Sequence, residues 1–363
     1  MIMCNHQNLN TVNCFIPPYI SEKLMESNVK TIEELAVTNF QQTSKLRNQR
    51  DFLSGLNDKH LAFINATAKP QKVTMNMEVY NLKHGTDTNN AALVWKNGKA
   101  TSKLDKDANN VTLAGSATWD FYNSIFGRNS VDNLGYLLRH YVHYSKKYDN
   151  AMWDGSEMVY GDGDGKIFGS FTSDPDIIGH ELTHGVTQYE SKLEYHIQSG
   201  AINESISDVF GIMVKQRLLK QDVKTSNWLI GENVLIGNNY ALRSMKAPGT
   251  AFVNHPQLGT DPQPATMDKF VKLPDTQSGD WGGVHYNSGI TNFAFYVAAF
   301  NMGGFAWEKA GQIWYKAVTG GNLKSTATFS DLKVQTIQQA EKLYGVGSNE
   351  AKAVKQGWSE AKV

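Results

Sequence analysis

The sequence predicts an α+β chain in two parts, a β-rich part and then an α-helical part, with a small helical appendage in front. Three observations carry this reading. From about residue 69 to 125, apolar and polar residues alternate in VTMNMEVYNL and AALVWKNGK, and the turn-rich KHGTDTNN separates the two runs. Beyond residue 175, apolar residues recur at helical spacing over 176–189, 201–219, 288–301, 305–318 and 328–344. Residues 1–68 follow neither pattern for long, so the expected divisions are 1–68, 69–191 and 192–363.

In the first division, Pro17 and Pro18 of CFIPPYI predict an extended arm that includes Tyr19. A short helical pattern begins at Ser21, and Thr31 with Glu34 has capping-box spacing ahead of LAVTNFQQTSKLRNQRDFL. On composition this division reads equally as a decoration of the main domain or as a propeptide whose arm reaches a cleft. In the second division the strand signals give way to helical spacing at VDNLGYLLRHYVHYSKKY. VYGDGDGKIFGSF then reads as a turn between two strand-like pieces. Its DxD spacing raises a calcium loop, but Ile167 stands where an EF-hand needs glycine and Ser173 where it needs glutamate, so turn chemistry is expected.

The 363 residues suffice for one large core or two domains, and 35 basic residues balance 35 acidic ones. That balance gives no whole-chain electrostatic reason for a nucleic-acid or membrane partner. No run of about 18 apolar residues exists to span a bilayer. MIMCNHQNLNTVNCFIPPYI lacks the basic start and apolar centre of a secretory signal, so a cytoplasmic location or a non-classical export route is expected. Both cysteines, Cys4 and Cys14, lie in this opening segment, which excludes a disulfide framework or thiolate metal site from the body of the chain.

IIGHELTHGV carries the chemistry. His180 and His184 are four apart on a predicted helix, so one face presents both imidazoles to a metal ion. Zinc accepts such ligands and, when catalytic, needs a third protein ligand and leaves a position for water. GAINESISD supplies Glu204 and Asp208 on one helical face, with Glu204 the candidate third ligand. Asp208 and Asn203 suit the hydrogen bonds that orient ligating histidines.

Zinc on two histidines and one glutamate is the thermolysin arrangement. The chain resembles the thermolysin family through NAMWDG, MVYGDGDG, GHELTHGVTQY, SGAINESISD, ALRSM and GGVHYNSGI, in that order. The resemblance implies a two-domain zincin, a zinc endopeptidase whose cleft lies between the β-rich and helical domains and is floored by the HExxH helix. It implies one catalytic Zn2+ on His180, His184 and Glu204, with Glu181 as general base towards the metal-bound water. Tyr195 and His285 match the family's transition-state stabilisers, and Asp280 the acid that orients His285. Asn150 and Ala151 match the edge on which the substrate backbone docks, and Arg243 the arginine that holds a substrate carbonyl. Phe168, Phe171, Ile177, Ile230, Val234 and Leu242 match the primed-side pocket. All six are apolar, so cleavage before a bulky hydrophobic residue such as Leu or Phe is expected.

Two departures modify the expectation. The family's paired calcium site needs acids; Asp176 and Glu232 are present, but Lys215, Asn227, Leu229 and Asn233 stand at the other positions. An ammonium cannot ligate a cation, so the site is expected to be lost or reduced, with Lys215 pairing with Asp176 and Glu232. The short front segment with its proline motif resembles the protealysin subgroup, which implies an inhibitory propeptide over 1–68, removed by cleavage between 60 and 75. Cys14 is expected as a small apolar residue; the alternative is that Cys4 or Cys14 caps the zinc as thiolate.

The implied partners are peptide and protein substrates and the chain's own propeptide, with the enzyme a monomer. Competing readings fit less well. A metzincin would place histidine where Glu190 stands, and a peptide-binding protein without activity predicts damage at Glu181, Tyr195 or His285, all of which are intact.

Overall fold

The computed structural model describes residues 14–46, 73–237 and 240–363. The expected boundary at residue 68, Cys4 and most of the expected cleavage region lie outside the described residues.

Pro17 is extended (φ −58°, ψ 143°), but Pro18 opens helix α1 (Pro18–Met25), so the expected two-proline arm is shorter by one proline and Ser21 lies within the helix. A proline ring pre-sets the helical φ, and the first helical position needs no N–H. Helix α2 covers 30–46 and contains Thr31, so the expected capping box does not form there. Instead Ser27 Oγ accepts the Val29 N–H at 3.2 Å, and the Val29 carbonyl takes the first helical N–H groups.

Strands β1 (Met77–Asn81), β2 (Ala92–Lys96), β3 (Lys99–Ala100), β4 (Leu138–Val142), β5 (Ala151–Trp153) and β6 (Met158–Tyr160) form one sheet in the order β3-β2-β1-β4-β6-β5. β1, β4 and β6 run parallel, while β5 returns antiparallel along β6 as an edge. The turn after β6 is built on Asp164, whose Oδ1 accepts the N–H groups of Lys166, Ile167 and Phe168 at 2.8–3.0 Å.

Two sequence expectations fail here. The strand reading to residue 125 overlooked helix α3 (Lys106–Phe126), which Asp105 caps at the Ala108 N–H (2.8 Å) and Gly127 ends at φ 70°. Its buried face, Ala108, Val111, Thr112, Ala114, Gly115, Thr118, Phe121 and Tyr122, has helical spacing. Small and β-branched residues hid that spacing. Conversely, part of VDNLGYLLRHYVHYSKKY is strand β4, which lies between β1 and β6 and is buried on both faces. A strand covered on both sides shows no alternation, which leaves its periodicity uninformative.

The second half is helical as expected: α4 (Pro175–Tyr189), α5 (Ile197–Leu219), α6 (Asp280–Met302), α7 (Ala310–Thr319), α8 (Phe329–Tyr344) and α9 (Asn349–Glu360), with a small ribbon of β7 (Leu229–Ile230) and β8 (Arg243–Ser244). α9 has no counterpart in the sequence reading. It packs on α6 through Gly357, where a Cβ would stand 2.3 Å from the Ala294 carbonyl oxygen. α4 and α5 cross just as closely, since a Cβ on Gly211 would lie 2.5 Å from the Asp176 carbonyl oxygen. That crossing joins the two halves of the site. Among the described residues no helix is long and apolar enough to cross a membrane.

Candidate active site

His180 and His184 leave α4 one turn apart, and the close crossing of α5 brings Glu204 to them. Their ligand atoms all lie within 4.8 Å of one another. The two Nε2 atoms are 2.9 Å apart, and Glu204 stands 3.5 Å from His180 Nε2 and 3.4 Å from His184 Nε2. Each Nδ1 meets an oxygen: Asp208 Oδ1 at 2.8 Å for His180, and Asn203 Oδ1 at 2.9 Å for His184. Nδ1 therefore carries the proton in each ring, and the two Nε2 lone pairs face one another. Glu204 Oε2 is buried without a hydrogen-bond partner. Converging lone pairs and an orphaned carboxylate oxygen in a buried site fit a bound cation, and two imidazoles with one carboxylate are a zinc donor set.

The surroundings hold this cluster rigid. Arg243 grips Asp208 with Nε and one terminal nitrogen, each at 2.8 Å, and Asn292 donates to Asp208 Oδ2 at 2.9 Å. Burial alone pushes the Asp208 carboxyl up, but Arg243 and His180 outweigh it and hold it well below the usual carboxylate range. Sequence reasoning missed Ser207, 2.9 Å from His184 Nδ1, and Asn292. Ser207 was findable, being one turn after Asn203 on the same helix. Asn292 was not, because its meeting with Asp208 depends on how α6 lies across α5.

Glu181 is buried beside the cluster, and its Oε2 accepts the Trp153 N–H at 2.8 Å. Tyr195 OH donates to Glu204 Oε1 at 2.5 Å and lies 3.0 Å from His285 Nε2. Asp280 takes both the ring Nδ1–H of His285 (2.6 Å) and its backbone N–H (2.8 Å). Burial lowers the His285 imidazole, yet Asp280 and Glu204 outweigh it and raise it above its ordinary value. Asp280 and Trp281 hold positive φ (52° and 46°) before Gly282 and Gly283, which adopt it freely, so the strain at the entry to α6 lies on Asp280 and Trp281 beside His285.

The N-terminal segment lies along this cleft. Phe15 N–H donates to the Ala151 carbonyl on edge strand β5 at 3.2 Å, and Ile16 N–H donates to Asn150 Oδ1 at 2.9 Å. The Phe15 carbonyl accepts from Arg243 at 3.2 Å, and the Cys14 carbonyl lies 3.0 Å from His285 Nε2. An extended peptide added to a sheet edge is a common recognition mode. The fully buried Phe15 ring meets Phe171 edge-on at 6.5 Å and His180 at 5.2 Å, with the Arg243 guanidinium 4.6 Å from its centroid. Phe168, Phe171, Ile177, Ile230, Val234 and Leu242 belong with it to one buried apolar cluster. Tyr19, at the start of α1, packs on Tyr286 with ring centroids 4.5 Å apart. The Cys14 thiol is buried and donates to the Ile16 carbonyl at 3.1 Å.

At the position of the expected calcium pair, Lys215 Nζ contacts Asp176 Oδ2 (2.9 Å), the Leu229 carbonyl (3.1 Å) and Glu232 Oε2 (3.2 Å). Asn233 bonds Asp174 instead, at 2.6 Å through both backbone and side-chain N–H. Burial lowers the Lys215 ammonium, and Asp176, Asp174 and Glu232 more than reverse this, so it stays charged.

A buried His, His, Glu cluster beside a sheet edge that grips an extended peptide has the chemistry of a metallopeptidase. The comparisons agree: the thermolysin metallopeptidase catalytic domain matches residues 27–188 and the thermolysin metallopeptidase alpha-helical domain residues 191–363. The chain belongs to the thermolysin metallopeptidase family and is a metalloendopeptidase. It is 38% identical to Protease PrtS of Photorhabdus sp. (strain Az29) over 97% of this chain and 92% of that protein. It is 49% identical to an extracellular metalloprotease of Pectobacterium carotovorum subsp. carotovorum, over 66% of this chain and 68% of that one. The solved structure of the precursor of protealysin, a metalloproteinase from Serratia proteamaculans, superposes with a TM-score of 0.83 at 38% identity, covering 96% of this chain and 99% of that one.

Proposed function

We propose that the enzyme is made latent, with residues Cys14 to Ile16 filling its substrate cleft, and that once opened it cuts peptide bonds before bulky hydrophobic residues such as Leu or Phe. One observation carries this: the backbone contacts of the segment to Ala151, Asn150, Arg243 and His285 are those a substrate needs, and the buried Phe15 ring packs on Phe171, His180 and Arg243. In this reading Asn150, Ala151 and Arg243 align the substrate backbone. Phe168, Phe171, Ile177, Ile230, Val234 and Leu242 receive the side chain after the cut bond. His180, His184 and Glu204 would hold a zinc ion, which would supply a Lewis acid to the carbonyl and a lowered pKa to the attacking water. Glu181 takes the proton of the attacking water and returns it to the leaving amine. His285 and Tyr195 donate to the oxygen on which charge develops, near where the Cys14 carbonyl now lies, and Asp280 keeps the His285 ring in place. The test is hydrolysis of a quenched fluorescent peptide with Leu or Phe after the cut bond. A form lacking residues 1–68 is expected to be active and a zinc chelator to stop it, while the full chain stays slow. A shortened form that binds zinc and cuts nothing sinks the proposal.

The Lys215 cluster supports replacement of the paired calcium ions by an ammonium. Lys215→Ala leaves Asp176, which is fully buried, without its counter-charge, and is expected to cost about 3–5 kcal/mol in chemical unfolding. Added micromolar calcium should leave the wild-type melting temperature within about 2 °C, since that shift corresponds to under about 1 kcal/mol. A large rise would restore the calcium site. We also propose a monomer, since the segment that occupies the cleft belongs to the same chain.

A further inference from the structure

Away from the cleft, the parallel strands β1, β4 and β6 end side by side. His84 lies three residues past the end of β1, His143 directly after β4, and Asp162 two residues past β6. The carboxyl ends of adjacent parallel strands are where α/β sheets gather ligands, because the loops leaving them converge. Here they bring two imidazoles and a carboxylate within 4.8 Å of one another.

The spacing resembles that of the His180, His184, Glu204 cluster. Asp162 stands 2.7 Å from His143 Nδ1 and 3.2 Å from His84 Nδ1. The carboxylate stands closer to the rings here than in the cleft, where Glu204 lies 3.4 and 3.5 Å from the two imidazoles. The two rings meet edge-on at 5.5 Å, as His180 and His184 do at 4.6 Å. His143 also has the outer support of a ligating histidine: its Nε2 donates to Asp105 Oδ2 at 3.1 Å. Asp105 is itself fixed by the Ala108 N–H at 2.8 Å and Asn81 at 3.1 Å. With Asp162 on Nδ1 and Asp105 on Nε2 both ring nitrogens donate, so a metal ion has to displace the Nδ1 proton, after which Asp105 on the far nitrogen holds the ring in place.

The backbone holds the donors in place before any ion arrives. His84 N–H donates to the His143 carbonyl at 3.0 Å, and Ser145 N–H to the Gly85 carbonyl at 2.9 Å. Both histidines sit at positive φ, 65° and 57°. Such strain in a non-glycine residue persists only where its surroundings enforce it. His84 is half exposed and Asp162 a quarter, so water can complete the coordination.

We propose that His84, His143 and Asp162 form a second metal site, separate from the catalytic cluster, that takes a borderline divalent cation such as Zn2+ or Co2+. Two imidazoles with a single carboxylate select this class over Ca2+ or Mg2+, which demand oxygen ligands. A bound ion would clasp the loop after β1 to the turn after β6.

The experiment uses the full chain. Wild type, His84→Gln and Asp162→Asn are titrated with Zn2+ alone, and bound metal is counted by atomic emission. The wild type is expected to hold one zinc equivalent more than either variant, or to bind that equivalent at least about tenfold more tightly. Because His84 is partly exposed, its replacement should leave the fold intact, which circular dichroism checks. Zn2+ should raise the melting temperature of the wild type more than that of His84→Gln. Equal zinc uptake and equal thermal shifts in the wild type and either variant overturn the site and leave an ordinary ion pair.

Discussion

Glu181→Ala is expected to slow peptide hydrolysis by the shortened enzyme by a factor of about 10³ while its zinc content stays unchanged. The reasoning is geometric. Glu181 follows His180 on α4 but is not in the ligand cluster, and Oε2 is anchored by the Trp153 N–H at 2.8 Å on the strand beside the docked peptide. Removing the carboxylate takes away the proton acceptor without taking away a ligand. The measurement is kcat/KM on the fluorescent peptide alongside zinc by atomic absorption. A variant that keeps a tenth or more of wild-type activity would assign the proton transfer to another group. One that loses its zinc would make Glu181 a structural support of the cluster.

Phe15→Ala in the full chain is expected to bring its activity close to that of the shortened form. Phe15 is completely buried, between Phe171, His180 and Arg243. Truncating such a ring costs about 3–5 kcal/mol, which loosens the segment's hold by about a hundredfold or more. Phe15→Leu should preserve latency, since the pocket is apolar and takes either shape. Progress curves of the two variants, compared with intact-mass measurements, separate loosening from loss of the segment by cleavage. Full latency in Phe15→Ala would mean that α1 and α2, not the residue in the pocket, keep the cleft shut.

The two expectations draw on different kinds of information. Glu181, His180 and His184 were legible because their relation is local: residues four apart on a helix share a face whatever the rest of the chain does. Glu204 and Asp208 were legible for the same reason, with the family resemblance supplying the link between the two helices. Where local patterning was weak, the reading slipped. α3 carries Val, Thr, Ala and Gly on its buried face and passed for strand, while β4, buried on both sides, passed for helix. The resemblance also matched Lys215 to a calcium position, and simple charge chemistry was enough to expect Asp176 and Glu232 around it.

By itself the sequence determined helices α4 to α8 of the helical half and placed the candidate metal donors His180 and His184 on one helix face with Glu181 beside them. It also determined that no disulfide framework exists beyond residue 14, since no cysteine follows Cys14. Only the tertiary structure decided what occupies the cleft. Phe15 and Arg243, 228 positions apart, meet because β5 offers a free edge beside the HExxH helix. It likewise decided that His84, His143 and Asp162 converge, since three strand ends come together only when β1, β4 and β6 align in parallel. Helical periodicity is fixed by backbone geometry within a few residues. Contacts between distant segments are fixed by packing, such as the approach of Gly179 and Gly211 that sets α4 against α5, and packing is a property of the folded chain.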